Sequence, residues 1–308
     1  MMSQMTHLPP DPMLERRRQV QDIASRKLRG RELRSFLYVG VIVAAIVVAL
    51  IPLGFIIGAL VVKGAHVISM TFLSATPVQP TLFDQDNIGG IGNAIVGSLV
   101  VDGIAAAMAV PMGVVIGLYL SERSTRTASI LRSASEVMTG LPSILFGVFS
   151  YIYIVTWMRG YSAFAASVAL ALLMTPVISK AAETALRDVP LSLKEAGLAL
   201  GARQSTVTLK VILPYAFPGV FTGVLLALAR AVGETAPLLF VIGASIIYDW
   251  NPAHPSTAMP LMIFNYAGSF YESQQAAAWG VALTLVAIVF ALNLAARFVA
   301  ARMRREQY

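Results

Sequence analysis

The sequence predicts an all-α integral membrane protein with about six transmembrane helices. Of its 308 residues, 57% are hydrophobic and only 13% are charged, whereas a soluble domain carries roughly a quarter charged residues. The hydrophobic residues also gather in six long runs. A chain of this composition cannot fold with water as its only solvent, so lipid must surround much of it.

Six stretches are apolar enough to cross a bilayer, which takes about 20 predominantly apolar residues. They are Phe36–Val62, Ala94–Leu120, Ser133–Met158, Tyr161–Ser179, Tyr215–Ile247 and Ala276–Ala300. They define a predicted transmembrane domain over residues 36–300. A basic tail, residues 1–35, precedes this domain and a short basic tail, residues 301–308, follows it. The first tail is either a flexible segment or an amphipathic helix on anionic lipid.

The positive charges predict the orientation, because segments rich in Lys and Arg stay in the cytoplasm. Of 23 such residues, 20 lie before the first span, between spans two and three, between spans four and five, or after the last span. The opposite loops contain Lys63, Arg159, Asp84, Asp86, Asp249 and Glu272. Both termini are therefore predicted to be cytoplasmic. This topology accounts for the net charge of +7, so we expect no nucleic-acid partner.

The sequence contains no recognisable catalytic or metal-binding pattern. It has no cysteine, and its three histidines, His7, His66 and His254, lack the spacing of metal ligands. It also lacks the Gly-x-x-x-x-Gly-Lys-Ser/Thr loop with which many ATPases bind the phosphates of ATP. We therefore expect no catalytic residue, metal or cofactor in this chain, and any ATP that drives it must bind to another polypeptide.

The segment between spans four and five, residues 183–214, has a structure of its own. Pro190 followed by Ser192 predicts the start of a short helix, with Ser192 as its N-cap. Gly201 can end that helix in a left-handed conformation. A second amphipathic stretch, Ser205–Leu213, leads into Pro214, which suits the first turn of the next span. We call residues 183–214 the coupling segment.

The coupling segment resembles the loop of ABC importer permeases written EAA-x3-G-x9-I-x-LP. The matching residues are Glu195, Ala196, Gly197, Gly201, Val211, Leu213 and Pro214. Gly197 and Val211 depart from the usual Ala and Ile. The resemblance implies a type I ABC importer permease architecture, in which these residues dock in a groove of a separate ATPase. The alternative is an ordinary amphipathic loop on the membrane surface.

An arginine and a glutamate lie within the fifth predicted span. Arg230 and Glu234 are four residues apart, which places them on one face of a helix. An arginine in mid-membrane costs about 2.5–3.5 kcal/mol, so such a residue normally faces a partner or a water-filled path. Arg230 could bind an oxyanion during transport, and Glu234 would hold the arginine side chain when no anion is bound. The alternative is a structural ion pair. Gly233 and Pro237 predict a local bend here.

Two further stretches resemble signatures of phosphate-specific importer permeases of the PstA type. They are Gly-Leu-Pro-Ser-Ile-Leu-Phe-Gly, residues 140–147, and Gly-Glu-Thr-Ala-Pro-Leu-Leu-Phe, residues 233–240. The resemblance implies that Arg230 and Glu234 match charged positions of the substrate path, and that Lys180 is a basic position of the same path. It also implies a prokaryotic inner-membrane location.

The same resemblance implies a set of partners. They are a second, PstC-like permease, an ATPase dimer that binds ATP and Mg²⁺, and an extracytoplasmic phosphate-binding protein. The expected activity is phosphate import by alternating access. Import of another oxyanion, such as sulfate or molybdate, is the first alternative. A stand-alone proton-coupled carrier with Glu234 as its proton site is the second, although it leaves the coupling segment unexplained.

Small residues spaced four apart predict close helix packing at Gly54/Gly58, Gly113/Gly117 and Gly219/Gly223. Two other acids lie in predicted spans. Glu136 is close enough to a span end to reach the interface, and Asp102 has either a partner across the bundle or a transport role.

Overall fold

The computed structural model describes residues 12–78 and 88–305, and these residues form helices joined by short connections. The helices are α1 Pro12–Ala65, α2 Met70–Ser74, α3 Gly92–Glu122, α4 Arg126–Gly140, α5 Ile144–Ser150, α6 Thr156–Met158, α7 Ala163–Arg187, α8 Leu191–Ala199, α9 Gln204–Val207, α10 Leu213–Val232, α11 Met259–Ala267 and α12 Glu272–Arg305. Single π-helical turns, Tyr151–Val155 and Thr208–Ile212, join α5 to α6 and α9 to α10.

Within the described residues, five helices are long and apolar enough to span a membrane, or six if the bent pair α4–α6 counts as one span. The prediction of an all-α protein with about six spans is confirmed. The fourth span extends to Arg187, and the sixth is part of the longer helix α12. Residues 1–11 and 306–308 of the predicted tails lie outside the described residues, as do Asp84 and Asp86.

The chain divides into two compact units, Met1–Ala59 and Leu60–Tyr308. In the first unit, α1 begins at Pro12, so residues 12–35 of the predicted tail are helical. Side chains at positions 35–58 are exposed although most are apolar. Such a surface requires lipid or another protein around it. No atom lies within 4 Å of a Cβ added at Gly54 or Gly58.

The core of the second unit is built on α3 and α7, which pack along their length. A Cβ on Gly113 would lie 2.7 Å from Ile178, and one on Gly117 would lie 2.6 Å from Ala182. On the other side of α7, Gly219 and Gly223 of α10 make similar approaches to Ala185 and Ala181. The predicted small-residue packing is therefore present at these two pairs, because only glycine allows the helices so close.

The third predicted span, Ser133–Met158, is not a straight helix. Helix α4 ends at Gly140, and the next helical segment, Ile144–Met158, is bent from it by 108°. Leu141 is extended, with φ −71° and ψ 143°. The residue before a proline disfavours helical angles, so Pro142 explains the position of the break.

The fifth predicted span, Tyr215–Ile247, is also wrong in its extent. The helix runs from Gln204 to Val232 and stops there. Gly233 ends it, and Pro237 precedes a single 3₁₀ turn, Leu238–Phe240. The remaining apolar residues fold back as irregular chain against α5 and α7. Glycine and proline override hydropathy here because they remove helix propensity and a backbone donor.

Candidate substrate path and coupling segment

Arg230 and Glu234 form an ion pair at a helix end. Arg230 Nε lies 3.5 Å from Glu234 Oε1. Arg230 is in the last turn of α10, whereas Glu234 lies beyond it, with its backbone N–H donating to the Ala231 carbonyl at 3.0 Å. The prediction that both occupy one helical face is thus wrong, because the helix ends at Val232. The positive charge suits this position, since the C-terminal carbonyls of a helix carry partial negative charge.

The Arg230–Glu234 ion pair is partly exposed at the protein surface. The Arg230 side chain is 51% exposed and that of Glu234 is 19% exposed. The 3.5 Å separation is longer than a strong charge-assisted hydrogen bond. A guanidinium has five N–H donors in a planar fork, so the exposed part of Arg230 keeps donors available to an anion.

The two signature stretches, residues 140–147 and 233–240, meet in space. A Cβ on Gly147 would lie 2.4 Å from the Pro237 carbonyl oxygen and 2.8 Å from Pro237 Cα. Each stretch contains a break in a span, and the structure packs the two breaks together. Broken helices at membrane depth expose backbone groups and are typical of transporter binding sites.

Lys180 lies on another level of the bundle. Its Nζ is 3.7 Å from Glu136 Oε1, and both side chains are largely exposed. The neighbouring Ala181 contacts Gly223, which is seven residues before Arg230 on α10. At 1.5 Å per residue, Lys180 is about 10 Å from Arg230 along the bundle. The structure therefore does not bring the three predicted path residues into one site.

In the coupling segment, α8 contains Glu195, Ala196 and Gly197. Gly201 has φ +78°, which confirms the predicted left-handed turn. The predicted N-cap is wrong: α8 begins at Leu191, after Pro190, and Ser192 lies inside it.

The second half of the coupling segment is not a separate short helix. It starts at Gln204 and continues through the π turn, which contains Val211, into α10. Leu213 and Pro214 are the first residues of α10 and come directly after the π turn, so Pro214 follows helical chain instead of starting it. The segment is continuous because no residue between Gln204 and Leu213 interrupts helical hydrogen bonding.

Helix α8 packs on this continuous helix at Gly197. A Cβ on Gly197 would lie 3.0 Å from both Cγ atoms of Val207, a buried residue. Leu191 at the start of α8 is 66% exposed, and Leu200, the residue directly after α8, is 89% exposed. Exposed leucines on a small, ordered helix are suited to a protein groove.

Sequence reasoning missed the polar contacts that join the coupling segment to α3 and α4. Glu183 is buried between Arg132 and Arg187, and Thr208 is hydrogen-bonded to Glu122. The signal was an acid in the apolar run of α7, but its partners are distant in sequence. Among the described residues, no three His, Cys, Asp or Glu side chains come together as metal ligands would.

Comparison with known proteins defines the class of this chain. Residues 109–305 match the family model for "Binding-protein-dependent transport system inner membrane component". The chain therefore belongs to this family of ABC importer permeases. It is a multi-pass inner-membrane protein and works with an ATPase and a substrate-binding protein.

Within the family, the chain belongs with the phosphate transport system permease proteins, PstA. It is 38% identical to "Phosphate transport system permease protein PstA 1" of Mycobacterium tuberculosis, over 84% of this chain and 86% of that protein. It is 34% identical to PstA of Haemophilus influenzae, over 87% and 94% of the two chains. It is 33% identical to a probable PstA of Methanocaldococcus jannaschii, over the same shares.

Solved structures share the fold. An inward-facing MetNI methionine ABC transporter chain matches with a TM-score of 0.54 and 21% identity, over 70% of this chain and 94% of that one. A bacterial alginate ABC transporter chain matches with a TM-score of 0.58 and 15% identity, over 89% and 95%. Both comparisons support the type I ABC importer permease architecture.

Proposed function

We propose that this chain is the permease subunit of an ATP-driven importer of inorganic phosphate. The observation that carries this proposal is the packing of residues 140–147 against residues 233–240, beside the half-exposed Arg230. These stretches are the ones that resemble phosphate-specific permeases. The names of the curated relatives support the same substrate.

Arg230 is the residue we assign to phosphate. Its planar guanidinium can bind two oxygens of an oxyanion at once. Glu234 holds the Arg230 side chain between transport cycles and competes with the anion for the guanidinium. Lys180, paired with Glu136 about 10 Å further along, provides a second basic position in the path.

Transport of an anion into a negative cell requires energy, about 2.3 kcal/mol per charge per 100 mV. We assign that energy to ATP, bound with Mg²⁺ by a separate ATPase dimer whose grooves receive α8. The other proposed partners are a PstC-like second permease and an extracytoplasmic phosphate-binding protein. The exposed Leu191 and Leu200, at the two ends of α8, support docking to a protein.

The proposed orientation places the coupling segment and both termini in the cytoplasm. Because the chain has no cysteine, single introduced cysteines can report it. Ser124, between α3 and α4, and Phe270, before α12, are both exposed. In right-side-out spheroplasts, an impermeant thiol reagent should label Phe270→Cys and not Ser124→Cys. The reverse pattern would reject the orientation.

Uptake of radiolabelled phosphate tests the substrate. Cells lacking this chain receive the wild type, Arg230→Ala or Arg230→Lys, at low external phosphate and with excess sulfate as competitor. Loss of a hydrogen bond to a charged group costs about 1.5–3 kcal/mol, so Arg230→Ala should reduce uptake about tenfold or more. Arg230→Lys should recover part of it, because it keeps the charge and loses the fork.

Each alternative predicts a different result when the same assay also includes molybdate as a competitor and a partner ATPase that cannot hydrolyse ATP. Uptake abolished by sulfate or molybdate would indicate another oxyanion. Uptake that persists when the partner ATPase cannot hydrolyse ATP would indicate a stand-alone carrier. Equal uptake in every strain would reject the phosphate assignment.

A further inference from the structure

Glu183 is a buried carboxylate that holds two arginines. It lies in α7 and is 8% exposed. Its Oε1 accepts from Arg132 of α4 at 2.7 Å (Nη2) and 3.0 Å (Nε), and Arg187 Nη2 of its own helix lies 2.9 Å away. Burying a carboxylate is costly unless it is paired and hydrogen-bonded. Both conditions are met here.

Both arginines also reach the end of α3. The Nη2 atoms of Arg132 and Arg187 donate to the Leu120 carbonyl oxygen at 3.3 Å and 3.1 Å. This carbonyl is one of the last four of α3, which have no partner within the helix. Through these arginines Glu183 ties the end of α3 and the last turns of α7 to the middle of α4, shortly before the three residues that lead into α8.

A second tie reaches the same helix end from the other side of α8. Thr208, a buried residue in the π turn, donates its hydroxyl to Glu122 Oε1. Glu122 is the last residue of α3. A cavity of about 170 Å³ lies between the two ties, lined by Glu122, Arg187, Lys194 and Thr208 among others. The polar links of α3 to the coupling segment thus pass on either side of a gap.

We propose that Glu183 and Glu122 are positioning residues that pass the movement of α8 to α3. The proposal rests on the proposed function, because it assumes that a partner ATPase moves α8. A displacement of α8 reaches α3 through Arg187 on one flank and Thr208 on the other. Both links attach to polar atoms of the last turn of α3, so a movement of Arg187 or of Thr208 pulls on that turn.

Helix α3 is suited to carry such a movement across the membrane. It packs on α7 through Gly113 and Gly117 without room for a Cβ. At its opposite end, Asn93 Nδ2 donates to the Ser245 carbonyl at 2.6 Å, in the irregular chain that follows α10. One continuous helix therefore joins the coupling segment to the segment that begins at Glu234.

The test compares ATP hydrolysis with phosphate import in the same proteoliposomes, using the complete importer with its ATPase and binding protein. Glu183→Gln removes the charge that holds both arginines, and Thr208→Val removes the second tie. We expect hydrolysis within about twofold of wild type and phosphate imported per ATP reduced about tenfold, the size of a typical coupling between sites. Glu272→Gln is the matched control, because Glu272 is an exposed acid in the first turn of α12, outside the coupling segment; its import per ATP should not change.

A merely structural role predicts another outcome: hydrolysis and import fall together, with an unchanged ratio, and this would overturn the proposal. If Glu183→Gln fails to assemble, Thr208→Val and Glu122→Gln decide, because they leave the arginine cluster intact. If the wild type imports sulfate instead of phosphate, the substrate proposal fails, and the same ratio measured with sulfate still tests the positioning residues.

Discussion

Gly147 and Pro237, ninety positions apart in sequence, are in backbone contact. The space where a side chain of residue 147 would begin is occupied by the Pro237 carbonyl group, at 2.4 Å from an added Cβ. The neighbour is backbone and cannot rotate away. The break after α4 and the break after α10 therefore fix each other's position.

Replacing Gly147 with alanine should destabilise the transmembrane unit. Overpacking of a tight contact costs about 1–3 kcal/mol, and here it also separates the two signature stretches. The thermal midpoint of the purified protein in detergent should fall, and phosphate uptake should fall with it. Gly140→Ala is the control, because no atom lies within 4 Å of its added Cβ. Equal midpoints for the two variants would contradict the contact.

Gly197 replaces the alanine usual at this place in the coupling motif, and Val207 gives a reason. Alanine is the better helix former by about 1 kcal/mol, but its Cβ would press on the two Cγ atoms of Val207 at 3.0 Å. Valine is stiff at χ1 and yields little. We expect Gly197→Ala alone to change the stability of α8 little.

In a Val207→Ala background, the same substitution should stabilise α8 by about 0.5–1 kcal/mol. Hydrogen exchange of the α8 amides in all four proteins of the double-mutant cycle measures this difference. Additive effects would show that Val207 does not restrict position 197.

Gly201 allows a separate measurement of backbone strain. Its φ is +78°, and no atom lies within 4 Å of an added Cβ, so the whole cost of a side chain is conformational. Gly201→Ala should cost about 1–2 kcal/mol, which is roughly tenfold faster amide exchange in α8. Gly201→Asn should cost less, since Asn tolerates left-handed angles. Equal exchange for the two variants would argue against strain at this turn.

The loop before α11 should depend on pH through Asp249. The pKa of its carboxyl is lowered from 3.8, first by the Asn251 backbone N–H and then by the hydrogen bond with His254. A lowered pKa means that the charged form favours the folded loop. The stabilisation is therefore complete above pH 3.8 and is lost as the pH falls through the lowered pKa.

Fluorescence of the adjacent, exposed Trp250 reports this loop. With Trp157 and Trp279 replaced by Phe, its signal should change as the pH falls below about 4. Asp249→Asn should abolish the transition. A transition that survives this substitution would assign it to another group.

The sequence was sufficient for the number of spans, because about 20 apolar residues are needed wherever a helix crosses lipid. It was also sufficient for Gly201, whose backbone requirement is local. It could not locate the helix ends at Gly140 and Val232. Hydropathy does not change there, although Pro142 and Gly233 were visible as breakers.

The charged partners depended on the fold. Arg132 is 51 positions from Glu183, and nothing in the sequence distinguishes it from the other basic residues near a membrane surface. Glu136 was assigned to the interface, and its pairing with Lys180 follows only from the packing of α4 on α7. Arg230 and Glu234 were correctly paired, but the geometry is that of a helix end.

The π turn at Thr208–Ile212 holds one extra residue between α8 and α10. Its hydrogen bonds join residues five apart, so it uses one residue more per turn than an α-helix does. Deleting one residue inside this turn can therefore return it to α-helix and leave Arg230 facing nearly as before. A deletion between Leu213 and Arg230 cannot be absorbed in this way and would rotate Arg230 by about 100° relative to Gly201 and α8. The chain between the coupling segment and the arginine thus tolerates a change of length at the π turn and nowhere beyond it.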